Sequence, residues 1–164
     1  MQLEIVELGP AHWKQVLQIY QEGLKTRQAT FETEAPSWQR WDQGHLPFAR
    51  LAAQSGRIVK GWAALGAVSA RAVYAGVAEV SVYVGESWRG HGVGRALLER
   101  LIDESEKNGI WTLQASICST GCQPATAQNH RLAAYDTARN SKLVGQRAAQ
   151  TQYGNLRSHT KTHG

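Results

Sequence analysis

Apolar residues alternate with polar ones over several short stretches of the chain and recur every three to four residues over two longer ones. This pattern predicts strands interleaved with amphipathic helices. Leu3-Glu4-Ile5-Val6-Glu7-Leu8 reads as a first strand, and Gly9-Pro10 then opens a helix whose Val16, Ile19, Tyr20 and Gly23 share one face. Ser37 is placed as the N-cap of a short second helix over Trp38-Gln39-Arg40-Trp41. Leu51 to Gln54 and Ile58 to Ala64 flank Ser55-Gly56-Arg57, which predicts a hairpin. Val77 to Val84 alternates β-branched or aromatic residues with others, as a central strand would. After a turn from Gly85 to Gly94, Val93, Ala96, Leu97, Leu101 and Ile102 line a helix that ends near Gly109. Ile110 to Ile117 alternates again, and a further helix is expected from about Gln128 to Ala138.

Composition narrows the class. At 164 residues the chain fits one domain, here 1–164, and 42% hydrophobic with 19% charged residues is ordinary for a globular protein. No apolar run approaches the ~18 residues that cross a bilayer, so no membrane partner is expected. Met1-Gln2-Leu3-Glu4-Ile5 lacks the basic and apolar blocks of a signal peptide, which makes the cytoplasm the expected compartment. In that reducing setting Cys118 and Cys122 are expected as free thiols, and no metal is expected. The net charge of +5 would raise nucleic acid as a partner, but its placement does not. Six basic residues and the lone Asp136 lie in residues 118–164, whereas residues 1–117 balance twelve basic against twelve acidic groups. The excess belongs to one end of the chain, and no nucleic-acid stripe is expected.

The chemistry centres on Arg89-Gly90-His91-Gly92-Val93-Gly94, between a strand and a helix. Such a turn presents free backbone N–H groups and the positive end of a helix dipole, a combination suited to a pyrophosphate. There is no Gly-Lys-Ser/Thr ending for a P-loop, and the glycine spacing is not that of the dinucleotide fingerprint. A plain glycine-rich connection without a ligand is the bland reading of the same letters.

The turn matches the R/Q-x-x-G-x-G/A signature of the GCN5-related N-acetyltransferases, and the chain resembles that family over roughly residues 3–117. Ala29 to Glu34, Gly61 to Leu65, Ser69 to Val84 and Gly109 to Ala115 look like its phosphinothricin (methionine sulfoximine) acetyltransferase branch. The resemblance implies an α+β, three-layer fold: a mixed, mostly antiparallel sheet flanked by helices, with acetyl-CoA in a split between the fourth and fifth strands. It implies that backbone groups of the Val82-Tyr83-Val84 stretch meet the pantetheine arm and that amides from Arg89 through Gly90, His91, Gly92, Val93 and Gly94 to Arg95 hold the pyrophosphate. Glu79 is then the candidate general base, needed because only a neutral amine attacks a thioester. Its bland alternative is an outward carboxylate sharing a strand face with Ser81 and Tyr83. A backbone amide at a strand bulge would steady the oxyanion. Phe31, Glu32, Arg71 and Tyr74 match the branch's amino-acid pocket, Arg71 as a bidentate donor to an anionic group or, more simply, as a solvated loop arginine. Phe31, Trp62 and Trp111 read as core or pocket wall. A homodimer is implied as well.

Beyond Ile117 the likeness fades. Asn129 matches a cofactor-binding position, but Asp136 stands where a His or Tyr belongs, which leaves Tyr135, one place early, as the candidate acid for the departing thiolate. Asn140-Ser141 replaces a Gly-Phe pair, and residues 118–164 contain no Glu, Ile, Phe or Trp. A frameshift, a sequence error or residues assigned without full knowledge of the gene would account for the change over this stretch; an intact mass equal to that of the printed sequence would sink the two error versions. Two other functions compete with amino-acid acetylation. One is acetylation of a peptide N-terminus or polyamine, for which Arg71 would be an odd pocket residue. The other is a non-catalytic acyl-CoA-binding module, which a lost thiolate acid would favour.

Overall fold

The computed structural model describes residues 2–26, 32–118 and 130–136. Among the described residues six strands form one sheet in chain order: β1 (Glu4–Glu7), β2 (Leu51–Ser55), β3 (Ile58–Ala67), β4 (Val77–Val84), β5 (Thr112–Cys118) and β6 (His130–Asp136). Every neighbouring pair is antiparallel except β4 and β5, which are parallel. The expected mixed, mostly antiparallel sheet is therefore present. The β4–β5 connection must cross a face of the sheet, and it does so through helix α3 (Val93–Lys107).

Helices α1 (Trp13–Thr26) and α2 (Trp38–Gly44) cover one face of the sheet, and α3 covers the other. The buried side of α1 is Val16, Ile19, Tyr20 and Gly23, the predicted set. Val16, Ile19 and Tyr20 pack with Trp41 of α2 on Ala52, Trp62 and Ala64. On the opposite face Val93, Leu97 and Leu101 pack on Leu51, Ala53, Ala63, Leu65 and Ala78. Burying each such leucine contributes about 2 kcal/mol, so both layers hold through apolar contact rather than through surface ion pairs. Gly61 permits the α3 layer to sit close. A Cβ there would lie 2.8 Å from the Tyr83 carbonyl oxygen and 3.1 Å from atoms of Leu97 and Val93.

Local signals worked as predicted at several boundaries. The Ser37 hydroxyl caps α2 by accepting from the Arg40 amide at 3.3 Å. The β2–β3 hairpin turns at Gly56, whose φ of +59° suits glycine.

Three expectations need correction. Residues 130–136 form a strand, not the helix expected around 128–138, and pair with β5 from Thr112↔Asp136 to Cys118↔His130. An Ala-rich sequence favours a helix, but β5 would otherwise present unpaired backbone along that edge, and a pairing partner overrides the local preference. The strand bulge expected to steady the oxyanion is not found between β3 and β4, which pair without interruption from Gly61↔Val84 to Ala67↔Ala78. The irregularity lies between β2 and β3, where Lys60 is the extra residue. Trp111, expected in the core or a pocket wall, is 52% exposed. It precedes β5, where its N–H donates to Gly76 at 2.9 Å and its ring occupies the space a Gly76 side chain would need.

Candidate active site

The parallel pairing of β4 and β5 covers three residues, Val77↔Thr112, Ala78↔Leu113 and Glu79↔Gln114. Beyond Glu79, β4 continues to Val84 while β5 pairs only with β6, so the sheet opens between them. The direction of the peptide groups follows from two hydrogen bonds. The Gly85 N–H donates to the Lys60 carbonyl at 2.9 Å, toward β3, and the Gly76 carbonyl accepts from Trp111 and Thr112, toward β5. Because these directions alternate along a strand, the peptide groups of Val82 and Val84 face the opening, while those of Ser81 and Tyr83 bond to β3. The Val84 carbonyl meets the Arg89 Nε at 3.4 Å on that side.

At the end of β4 the chain passes through Gly90 (φ +77°) and Gly92 (φ +80°) into α3. Gly92 is the N-cap in the left-handed region and provides no side-chain cap, so the first amides of α3 lack an intrahelical acceptor. A Cβ on Gly90 or Gly92 would meet nothing within 4 Å. The glycines therefore serve backbone conformation and an open approach rather than internal packing. At Gly94 a Cβ would lie 3.4 Å from Val84, which sets the helix start against β4. His91 sits over the turn with Nδ1 2.8 Å from the Arg89 carbonyl, and Arg95 points outward to Glu99 at 2.7 Å. The hydrogen bond from Arg95 to Glu99 raises the guanidinium pKa further. Uncapped amides at an open, left-handed glycine turn fit a pyrophosphate.

A cavity of about 760 Å³ lies on the α1/α2 face. Ser81 and Tyr83 of β4 line it, with Glu32, Glu34 and Arg40, and so do the rings of Tyr20, Trp41, His45 and Trp62. Tyr83 stacks on Trp62 at 4.6 Å and on Tyr20 at 5.0 Å, which joins the cavity wall to the strand beside the opening. Glu79 is exposed on the same strand face as Ser81. It pairs with Gly66, whose Cβ position lies 3.6 Å from the carbonyl of the cavity residue Gly44.

Of the predicted pocket residues, Glu32 lines this cavity. Arg71 and Tyr74 do not. They occupy the exposed turn before β4, where the Arg71 guanidinium lies 6.0 Å from the Tyr74 ring. Tyr135 lies in β6 opposite Leu113. Phe31 and Asn129 lie outside the described residues. Among the described residues no group of three His, Cys, Asp or Glu side chains is placed to hold a metal ion.

Sequence reasoning missed His45. It follows α2 in a turn fixed by Arg50, which bonds Asp42, the Leu46 carbonyl at 2.6 Å, and the Asp42 and His45 carbonyls at 2.9 Å. Burial holds its imidazole pKa below the ordinary value; the hydrogen bond to the Trp41 carbonyl opposes this, and the Arg50 charge adds to the lowering. An unfolded His45 therefore binds its proton at a higher pH than the folded one. Its contribution to stability is complete above the ordinary imidazole pKa and is lost as the pH falls through the folded value. Thermal unfolding from pH 7 to 5 should show a drop of several degrees in Tm that is smaller in His45→Gln; parallel curves would refute it.

Residues 13–134 match the model of the acetyltransferase (GNAT) family, and the chain belongs to that family of acetyl-CoA-dependent N-acetyltransferases. Among particular relatives, a Bacillus subtilis (strain 168) protein named "Putative phosphinothricin acetyltransferase YwnH" is 32% identical over 107 residues, 62% of this chain and 66% of that protein. A crystal structure of a phosphinothricin acetyltransferase from Sinorhizobium meliloti in complex with acetyl-CoA superimposes with a TM-score of 0.64 at 27% identity. That match covers 71% of this chain and 66% of the other. A ribosomal-protein-alanine N-acetyltransferase from Brucella melitensis has the same TM-score and identity, over 71% of this chain and 75% of its own. Fold likeness alone does not separate those two acceptors, so the cavity must.

Proposed function

We propose that the protein transfers the acetyl group of acetyl-CoA to the primary amine of a small amino-acid-like acceptor, such as phosphinothricin or methionine sulfoximine. The observation that carries this reading is the position of Glu79 at the point where β4 leaves β5. From there the peptide groups of Val82 and Val84 face the opening, while Ser81 and Tyr83 face the cavity. A thioester in the opening and an amine in the cavity would then meet beside one carboxylate. Acetyl-CoA supplies an activated acetyl group, and the protein's task is to hold it, orient the amine and remove a proton.

In this reading the uncapped amides of α3 hold the diphosphate, and Glu79 takes the proton from the acceptor ammonium, directly or through water. Aromatic walls and the carboxylates of Glu32 and Glu34 suit a cationic amine. The homodimer and the cytoplasmic setting belong to the same proposal. Mixing the protein with acetyl-CoA and each amino acid while following thiol release tests the activity. Release with either amino acid is expected; CoA binding without release for any amine would favour a binding module.

A further inference from the structure

Two buried indole donors, on residues that line the cavity, have no acceptor among the described residues. Trp41 and Trp62 are 2% and 0% exposed, both line the cavity, and neither indole Nε1–H finds a partner among the described residues. Native interiors pair the great majority of buried polar groups, because an unpaired one loses its water and gains nothing in return. Two such donors on one cavity point to partners that arrive from outside the chain.

His45 completes the arrangement. Its ring stacks on Trp41 at 4.3 Å and meets Trp62 edge-on at 6.3 Å, while the two indoles stand 5.7 Å apart. Its Nδ1 lies 2.6 Å from the Trp41 carbonyl oxygen, which can only accept, so Nδ1 carries a proton. In a neutral ring Nε2 is then a lone-pair acceptor. Two N–H donors and one acceptor are thus held on three rings in mutual contact, with Arg50 fixing the turn that carries His45.

We propose that Trp41, Trp62 and His45 form a specificity subsite for the uncharged polar head of the acceptor, one that presents both oxygen and N–H, as a sulfoximine or a carboxamide does. The oxygen accepts from the indoles, and the N–H donates to His45 Nε2. This rests on the amino-acid acetyltransferase reading and adds to it the side-chain chemistry preferred. A sulfone offers two oxygens and no N–H, and norleucine offers neither, so the three amino acids separate the contributions.

The deciding measurement is the indole ¹H–¹⁵N spectrum of the full chain titrated with methionine sulfoximine and, separately, norleucine. Signals are assigned from Trp41→Phe and Trp62→Phe, or from contacts between rings should those variants not fold. The Trp41 and Trp62 signals should shift saturably with the sulfoximine and not with norleucine. Silence with the sulfoximine, or equal shifts with both, overturns the subsite. In kinetics, His45→Phe should lower the sulfoximine-to-sulfone ratio of kcat/KM about tenfold, and Trp62→Phe the sulfoximine-to-norleucine ratio by a similar factor. Unchanged ratios overturn it too. Indole shifts without acetylation of any amine would instead remove the proposed activity and leave the subsite standing.

Discussion

Glu79→Gln is expected to lower kcat by about 10²- to 10⁴-fold at pH 7, the range for losing a positioned general base. The KM for acetyl-CoA should stay near that of the unchanged protein. Glutamine keeps the size and most of the polarity of the side chain but cannot take a proton from an ammonium. Glu79 is exposed at the end of the β4–β5 pairing, so the exchange should not disturb the core. The deficit should also shrink as pH rises, because an alkaline medium supplies free amine that needs no base. Below the acceptor's amine pKa, each unit of rise in pH raises the neutral fraction about tenfold. A pH profile of thiol release for both proteins checks this. Undiminished release by the glutamine variant at pH 7 would remove Glu79 as the base, and a deficit that ignores pH would assign it a structural role instead.

The parts of the fold that the sequence made legible are those decided within about ten residues. The buried face of α1 is written in the spacing of Val16, Ile19, Tyr20 and Gly23, and it emerged unchanged because helix periodicity fixes which side chains share a face. The bounds of β4 matched, since its valines suit a strand and Gly85 and Gly76 bracket it. The glycine turn was legible for a stricter reason. Positive φ at Gly90 and Gly92 is a demand that few other residues meet, so the letters themselves report the backbone.

What was hidden is non-local. The wall that holds Trp41, His45 and Trp62 is assembled from α2, the turn behind it and β3, and each residue alone reads as ordinary core. The aromatic pair Trp38 and Trp41 on one short helix, with single aromatic residues at Trp62 and Tyr83 on two strands, was the available signal. It could not say that two indole donors would be left over. The strand at residues 130–136 was misread because its Ala-rich letters suit a helix and only the free edge of β5 decides otherwise. Lys60 shows the same limit on a smaller scale: a bulge depends on how two strands fit, and neither strand spells it out.

Gly92→Val should weaken acetyl-CoA binding about 100-fold, or ~2.7 kcal/mol, measured by calorimetry. A β-branched residue at φ +80° is strained, so the turn must either bear that cost or rotate its amides away from the ligand. Its side chain would also stand in the open approach, where nothing in the protein lies within 4 Å of the Cβ position. Gly56 provides the control. It too has positive φ, +59°, with open space around its Cβ position, but it lies in the β2–β3 hairpin rather than at the start of α3. Gly56→Val should therefore cost similar stability, about 1–2 kcal/mol, without loss of affinity. A second comparison isolates the diphosphate. S-acetylpantetheine lacks that group, so Gly92→Val should lose far less in kcat/KM with it than with acetyl-CoA. Equal losses with both thioesters would mean that the valine damages the opening between β4 and β5 rather than an anion cradle. Equal affinity of Gly92→Val and the unchanged protein for acetyl-CoA would mean that the amides of this turn do not hold the diphosphate at all.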